Sequence, residues 1–154
     1  MKQVLFLCTN DDYYRSHLAE EYFNHWSETL NLPYHASSKA LPSDLNKNKH
    51  RGSITHQMKY LFDHLTTPGD ELHKAAPAVN YEELNQADYL FAMDKQEHQQ
   101  LIEKYYPEFT AKCRYFTVDD EESVALITEQ LMNQLDQWIA QLVTQYSTQK
   151  KQAS

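Results

Sequence analysis

Short strand-like runs that alternate with helical patterns constrain the fold of this 154-residue chain more than any other feature. The first run, residues 4–7, is entirely apolar, as expected for a strand buried on both faces. Further strands are predicted at residues 34–36, 89–93 and 113–118. Because strands that alternate with helices form parallel sheets, we predict an α/β fold. The expected architecture is a three-layer sandwich, with a four-stranded parallel sheet and helices on both faces.

Apolar residues at helical spacing predict where the first covering helices lie. The first helix begins after Ser16, a candidate N-cap, and runs to about Leu30. Residues 37–51 are polar and are expected to form a loop. A second helix is predicted to begin at Gly52 and Ser53, where apolar residues again recur at helical spacing.

Capping residues and a long apolar stripe predict the remaining helices. Two short helices begin at capping boxes, one formed by Asn80 with Glu83 and one by Asp94 with Glu97. The last helix follows an acidic run at 119–122, where negative charge complements the helix dipole. Its apolar stripe consists of Val124, Ile127, Leu131, Leu135, Trp138, Ile139 and Leu142.

Length and charge limit the classes of function. We expect one domain over residues 1–146 and a polar, frayed tail over residues 147–154. A net charge of −8 argues against nonspecific binding to nucleic acid. The apolar runs are too short for a membrane span or a signal peptide, so we expect no membrane association. Two distant cysteines suit a reducing cytoplasm, and the histidine spacing indicates no metal site.

The most informative motif lies at the end of the first predicted strand. Cys8 ends that strand, and Arg15 and Ser16 follow after a six-residue loop. The loop residues are Thr9, Asn10, Asp11, Asp12, Tyr13 and Tyr14. Because ligands of parallel sheets bind at the carboxyl ends of the strands, this segment is typical of a phosphate-binding loop with a thiolate at its floor.

Taken together, these segments resemble the low-molecular-weight protein tyrosine phosphatases. The resemblance rests on residues 4–8, on Arg15 and Ser16, and on Ala19 and Glu20, which are similar to the family's N-terminal motif. Residues 87–94 are similar to its third strand, and the order of the remaining elements agrees over essentially the whole chain. The resemblance implies that residues 1–146 form a phosphatase-like domain.

The resemblance also implies a role for each matching residue. Cys8 would attack phosphorus as a thiolate and form a cysteinyl-phosphate, which water then hydrolyses. Arg15 would hold two phosphate oxygens, and the Ser16 hydroxyl would donate a hydrogen bond. Asp120 aligns best with the general acid, and Asp119 is the second candidate. No cofactor is implied, and the expected substrate is a phosphorylated protein or a small phosphate monoester.

The loop and the acid segment depart from the family pattern. The loop is one residue longer than in the family, lacks glycine, and carries Asp11 and Asp12. At roughly 6 Å and an effective dielectric of about 20, each aspartate would oppose a phosphate charge by on the order of 3 kcal/mol. Such neighbours also reduce the thiolate fraction of Cys8. The proline and aromatic residues that follow the family's general acid are absent after Asp120.

Two functions therefore remain open from the sequence. The first is a divergent tyrosine phosphatase that uses Cys8, Arg15 and Asp120. The second is a catalytically inactive binding module, in which the loop with Tyr13 and Tyr14 contacts a protein partner or another ligand. A thioredoxin-linked arsenate reductase needs two further cysteines close together, and only Cys113 is available.

Overall fold

The computed structural model describes residues 1–9, 13–42, 77–117 and 124–153. The strands are β1 (Lys2–Cys8), β2 (Tyr34–Ala40), β3 (Tyr89–Ala92) and β4 (Cys113–Tyr115). The helices are α1 (Tyr13–Thr29), α2 (Tyr81–Gln86), α3 (Lys95–Tyr105) and α4 (Val124–Ala153), with a short 3₁₀ helix at Pro107–Phe109. The helix predicted to begin at Gly52 and Ser53 lies outside the described residues.

The four strands form one parallel sheet, as the sequence predicted. Their order is β2-β1-β3-β4, with Cys8 paired to Ala40 on one side and Leu7 paired to Ala92 on the other. The chain passes from β1 to β2 at one edge and returns to β3 on the opposite side of β1. Such a reversal between β1 and β3 is where open α/β sheets bind ligands, at the carboxyl ends of the strands.

Alternate residues of β1 point into two separate cores, and this alternation builds the three layers. Val4, Phe6 and Cys8 pack against α1 and α4, where Phe23 and Trp138 stack with ring centroids 5.2 Å apart. Leu5 and Leu7 face the opposite core, which α2, α3 and the 3₁₀ helix cover. Cys8 therefore lies on the α1 side of the sheet.

Strand β2 is longer than predicted, because residues 37–40 belong to it and not to a loop. Polar side chains of α1 satisfy backbone groups of this strand. The Asn24 amide bonds both the N–H and the C=O of Ala36, and a Glu20 carboxylate oxygen accepts from the Ser38 N–H at 3.1 Å. The polar residues of β2 are thus compatible with a strand tied to the neighbouring helix.

The helix boundaries also differ from the predictions at several points. Helix α1 begins at Tyr13, so Ser16 lies one turn inside it and is not the N-cap. The Asn80–Glu83 capping box is confirmed. At α3, the Asp94 carboxylate accepts from the Gln96 N–H.

The Asp94 N–H was predicted to bond the Glu97 side chain. It donates instead to His98 Nδ1 at 3.1 Å. Strand β4 ends at Tyr115, three residues earlier than predicted, and β3 ends at Ala92, one residue earlier.

The last helix carries most of the predicted apolar stripe into the core. Its described stripe residues are all buried, namely Leu131, Leu135, Trp138, Ile139 and Leu142. The side chains of Val124 and Ile127 lie outside the described residues. Residues 147–153, expected to be frayed, continue the same helix. None of the helices in the described parts of the chain has the length and apolar character needed to cross a membrane.

Candidate functional site

The Cys8 thiol is placed by the central strand of the sheet. Cys8 is fully buried, and its carbonyl oxygen accepts from the Leu41 N–H at 2.7 Å. The preceding residue, Leu7, accepts from the Met93 N–H at 3.1 Å, so backbone bonds hold the end of β1 on both sides. A thiol fixed in this way has a defined position at the carboxyl end of β1.

Ser16 brings a hydroxyl donor directly to this sulfur. Its Oγ lies 2.8 Å from Cys8 Sγ and donates a hydrogen bond to it, inside the buried region between β1 and α1. Hydrogen bonding to a charged acceptor favours the charged form. The contact therefore favours the thiolate of Cys8, which is the nucleophilic state of a cysteine.

A second contact of Cys8 has the opposite effect. The sulfur lies 3.7 Å from the backbone carbonyl oxygen of Lys39 at the end of β2, which accepts a weak hydrogen bond from the thiol. A carbonyl oxygen offers no stabilisation to a thiolate, so this contact favours the neutral form. Ser16 and Lys39 thus act in opposite directions on the charge state of Cys8.

Arg15 is the side chain whose surroundings point most directly to an anion. Its relative exposure is 4%, and its Nε and Nη1 atoms find no hydrogen-bond partner within the described parts of the chain. Buried guanidinium nitrogens that lack partners carry a desolvation penalty, which an anionic ligand with two or more oxygens would offset. Thr9, directly after Cys8, also has a buried hydroxyl that finds no partner among the described residues.

Several predicted site residues cannot be placed relative to this group. Asn10, Asp11 and Asp12 lie outside the described residues, as do Asp119 and Asp120. Tyr13 and Tyr14 form the start of α1, and their side chains are likewise outside the description. Of the predicted set, the structure places the Ser16 hydroxyl on the Cys8 sulfur. Thr9 and Arg15 are the chain neighbours of these two residues, and both are buried.

Cys113 occupies a different environment from Cys8. It belongs to the core on the opposite face of the sheet, and burial raises the pKa of its thiol to about 12. A cysteine with such a pKa carries almost no thiolate near neutral pH and is unreactive. Both cysteines are free.

One group of side chains near the site was missed by the sequence reasoning. His17, Glu20 and Glu21 lie on the same face of α1 and each offers a ligand atom within 4.8 Å of the others. The signal was available, because residues three and four apart share a helix face. A search for widely separated histidines overlooks such a pattern.

Fold and site together define an α/β protein with a buried thiol at the carboxyl end of the central strand β1 and a buried arginine in the first turn of α1. The solved structures that it matches agree with this class. YfkJ from Bacillus subtilis superposes with a TM-score of 0.67 at 18% identity, covering 94% of this chain and 96% of that one.

Two further solved structures are similar over nearly their whole length. YwlE from Bacillus subtilis, in a mutant form, matches at 20% identity and a TM-score of 0.62, covering 96% of this chain and 99% of that one. Another YwlE structure is described as an arginine phosphatase with a phosphorylated serine in place of the active-site cysteine.

The low-molecular-weight protein tyrosine phosphatase from T. tengcongensis matches at 20% identity and a TM-score of 0.57, covering 97% of this chain and 99% of that one. No protein-family model and no curated protein matches the sequence. The chain has the fold of the low-molecular-weight protein tyrosine phosphatases, and the predicted resemblance is confirmed at that level.

Proposed function

We propose that this protein hydrolyses aryl phosphate monoesters, phosphotyrosine among them, through a cysteinyl-phosphate intermediate on Cys8. The observation that carries the proposal is the buried Arg15 guanidinium, whose Nε and Nη1 lack partners in the described chain. The loop from Cys8 leads directly into the helix that bears Arg15. A phosphate there would receive both the fork of Arg15 and the amide dipoles at the start of α1.

In the first step the Cys8 thiolate attacks phosphorus, forming an S–P bond as the ester P–O bond breaks. The leaving phenolate oxygen takes a proton from a carboxylic acid, for which Asp120 is the first candidate and Asp119 the second. Ser16 lowers the energy of the thiolate both before the attack and after its release. Arg15 binds the equatorial oxygens, where negative charge is retained during the transfer.

In the second step water attacks the phosphorus of the cysteinyl-phosphate. The same carboxylate, now deprotonated, takes the proton from the water as the S–P bond breaks. The products are inorganic phosphate and the Cys8 thiolate, so the site returns to its starting state. No metal or cofactor takes part in this sequence of steps.

A catalytically inactive binding module is the second candidate. Its support is the loop sequence, in which Asp11 and Asp12 add two negative charges between Cys8 and Arg15, where an anion would bind. In that case the four placed residues bind a phosphate group or a less charged anion, and no phosphoryl transfer to Cys8 takes place. The two candidates share the ligand site and differ only in the chemistry on sulfur.

Turnover of an aryl phosphate separates them. Wild-type protein, Cys8→Ser, Asp120→Asn and Asp119→Asn are assayed with an aryl phosphate across a range of pH. We expect turnover in the wild type and only background rates in Cys8→Ser. One of the two aspartate variants, the one that lacks the general acid, should turn over more slowly than the wild type, and the other should match it. Folded wild-type protein with no turnover, but with phosphate binding, would establish the binding module instead.

A further inference from the structure

A histidine and two glutamates of α1, one of which bonds the backbone of β2, form a cluster that the proposed phosphatase chemistry does not use. His17 is 5% exposed although it lies on a helix of a small domain. Its Nδ1 lies 3.0 Å from Glu20 Oε2, and its Nε2 lies 3.8 Å from Glu21 Oε1. We propose that His17, Glu20 and Glu21 bind a divalent transition-metal ion of the zinc class.

The number and spacing of the donors suit such an ion. Zinc takes histidine nitrogen and carboxylate oxygen at about 2.0–2.2 Å, so neighbouring donors in a tetrahedral site lie roughly 3.3 Å apart. The three donor atoms here lie within 4.8 Å of one another, and the pair from His17 and Glu20 is already at 3.0 Å. Glu20 lies at Nδ1 of His17 and Glu21 at Nε2, so the proposal requires Glu21 to turn towards the ring nitrogen that binds the ion, with water as the fourth ligand.

A backbone donor outside the cluster orients one of the carboxylates. Glu20 Oε1 accepts from the Ser38 N–H of β2 at 3.1 Å, which directs Oε2 of the same carboxylate towards His17. Metal-binding carboxylates are commonly held in this manner by hydrogen bonds from a second shell of groups. The carboxylate of Glu20 is thus fixed before any ion binds, which lowers the entropic penalty of binding.

Solvent can reach the cluster from one side. The side chains of Glu20 and Glu21 are 22% and 49% exposed, whereas the His17 side chain is 6% exposed. An ion would therefore approach past the glutamates and meet the imidazole at the base of the site. The net charge of −8 favours the approach of a cation.

Donor chemistry indicates the class of metal. An imidazole with two carboxylates suits zinc and its transition-metal neighbours better than calcium or magnesium, which prefer oxygen ligands throughout. The site is independent of the proposed hydrolysis, since none of its three residues contacts phosphate in the proposed steps.

Calorimetric titration with Zn²⁺ tests the proposal on the full chain. Wild-type protein is expected to bind one ion at this site. His17→Ala and Glu21→Gln are each expected to lower that affinity at least tenfold. Glu20→Gln keeps the acceptor for Ser38 and removes the charged ligand, so it should weaken binding without disturbing β2. His25→Ala and Glu28→Gln, on the same helix, are the matched controls and should bind as the wild type does.

Cys8 is an alternative zinc ligand, and the same experiment distinguishes it. Binding that persists in Cys8→Ser and falls in Glu21→Gln supports the helix site, even if His17→Ala fails to fold. Binding that disappears in Cys8→Ser and is unchanged in Glu21→Gln overturns the proposal, because the ion then sits on the thiolate. A wild-type protein that binds no Zn²⁺ also overturns it and shows that the cluster is only an ion pair.

Discussion

The Ser16 hydroxyl donates a hydrogen bond to the Cys8 sulfur across 2.8 Å, from the first turns of α1 to the end of β1. This contact joins the two elements that build the candidate site. It requires a serine at this one position of the helix, since the next residue in either direction points elsewhere on the helix surface. The same contact explains why Ser16 is placed inside α1 and not at its N-cap.

Replacing Ser16 tests what this hydrogen bond does for the thiol. A hydrogen bond to a charged group contributes about 1.5–3 kcal/mol, so Ser16→Ala should slow alkylation of Cys8 by iodoacetamide near neutral pH by about tenfold or more. Ser27→Ala is the matched control, because Ser27 is also buried on α1 and bonds a backbone carbonyl of β2. Equal alkylation rates in Ser16→Ala and Ser27→Ala would show that the bond does not stabilise the thiolate.

Replacing Arg15 tests the anion site apart from catalysis. In the wild type, inorganic phosphate should raise the Tm, because it binds the folded state and pairs with a buried charge. Arg15→Met should abolish that rise. It should also leave the phosphate-free protein as stable as the wild type or more stable, since it removes a buried charge whose Nε and Nη1 have no hydrogen-bond partner among the described residues. Arg114→Met, on an exposed residue of β4, is the control and should keep the phosphate effect.

The loss of folding stability at alkaline pH should depend on Cys113. Burial raises the pKa of this thiol to about 12 in the folded protein, from 9.0. Between these values the unfolded chain loses the proton while the folded chain keeps it, so stability falls as pH rises from about 9 to 12. Cys113→Val should flatten this loss in urea unfolding curves measured at pH 7 and pH 10.5. A loss of equal size in both proteins would contradict the assigned cause.

Trp138 should be one of the side chains that hold α4 on the sheet. It stacks on Phe23 and lies 4.3 Å from the ring centroid of Phe91. Trp138→Ala is expected to lower the free energy of unfolding by about 3–5 kcal/mol. Trp26→Ala removes a tryptophan that is 36% exposed, and it should have a much smaller effect. Chemical denaturation of the two variants gives the comparison.

The parts of the fold that followed from the sequence are those set by local pattern. The apolar run of β1 and the Asn80–Glu83 capping box each specify their own structure, whatever lies around them. Residues 37–40 did not specify their strand, because it is formed by pairing with β1 and by a hydrogen bond from Ser38 to Glu20 of the neighbouring helix α1. Tertiary contacts of this kind leave no periodic signal in the strand itself.

The residues of the candidate site likewise include some that the sequence predicts and some that only the fold brings into contact. Cys8, Arg15 and Ser16 were found because a strand end and a helix start lie close together in the chain. The role of Lys39 was not predicted, since its carbonyl reaches Cys8 only through the register between β1 and β2. His17, Glu20 and Glu21 needed a helix-face comparison within one turn, together with the Ser38 contact that only the fold supplies.

The most direct test of the central claim is mass spectrometry of the protein after rapid acid quench of its reaction with an aryl phosphate. The account predicts a phosphoryl group on Cys8 in the wild type, with a longer lifetime when the general acid, Asp120 or Asp119, is replaced by Asn. Cys113 should remain unmodified because its thiol is protonated. Product release without any phosphorylated Cys8, or the same product release in Cys8→Ser, would contradict the account.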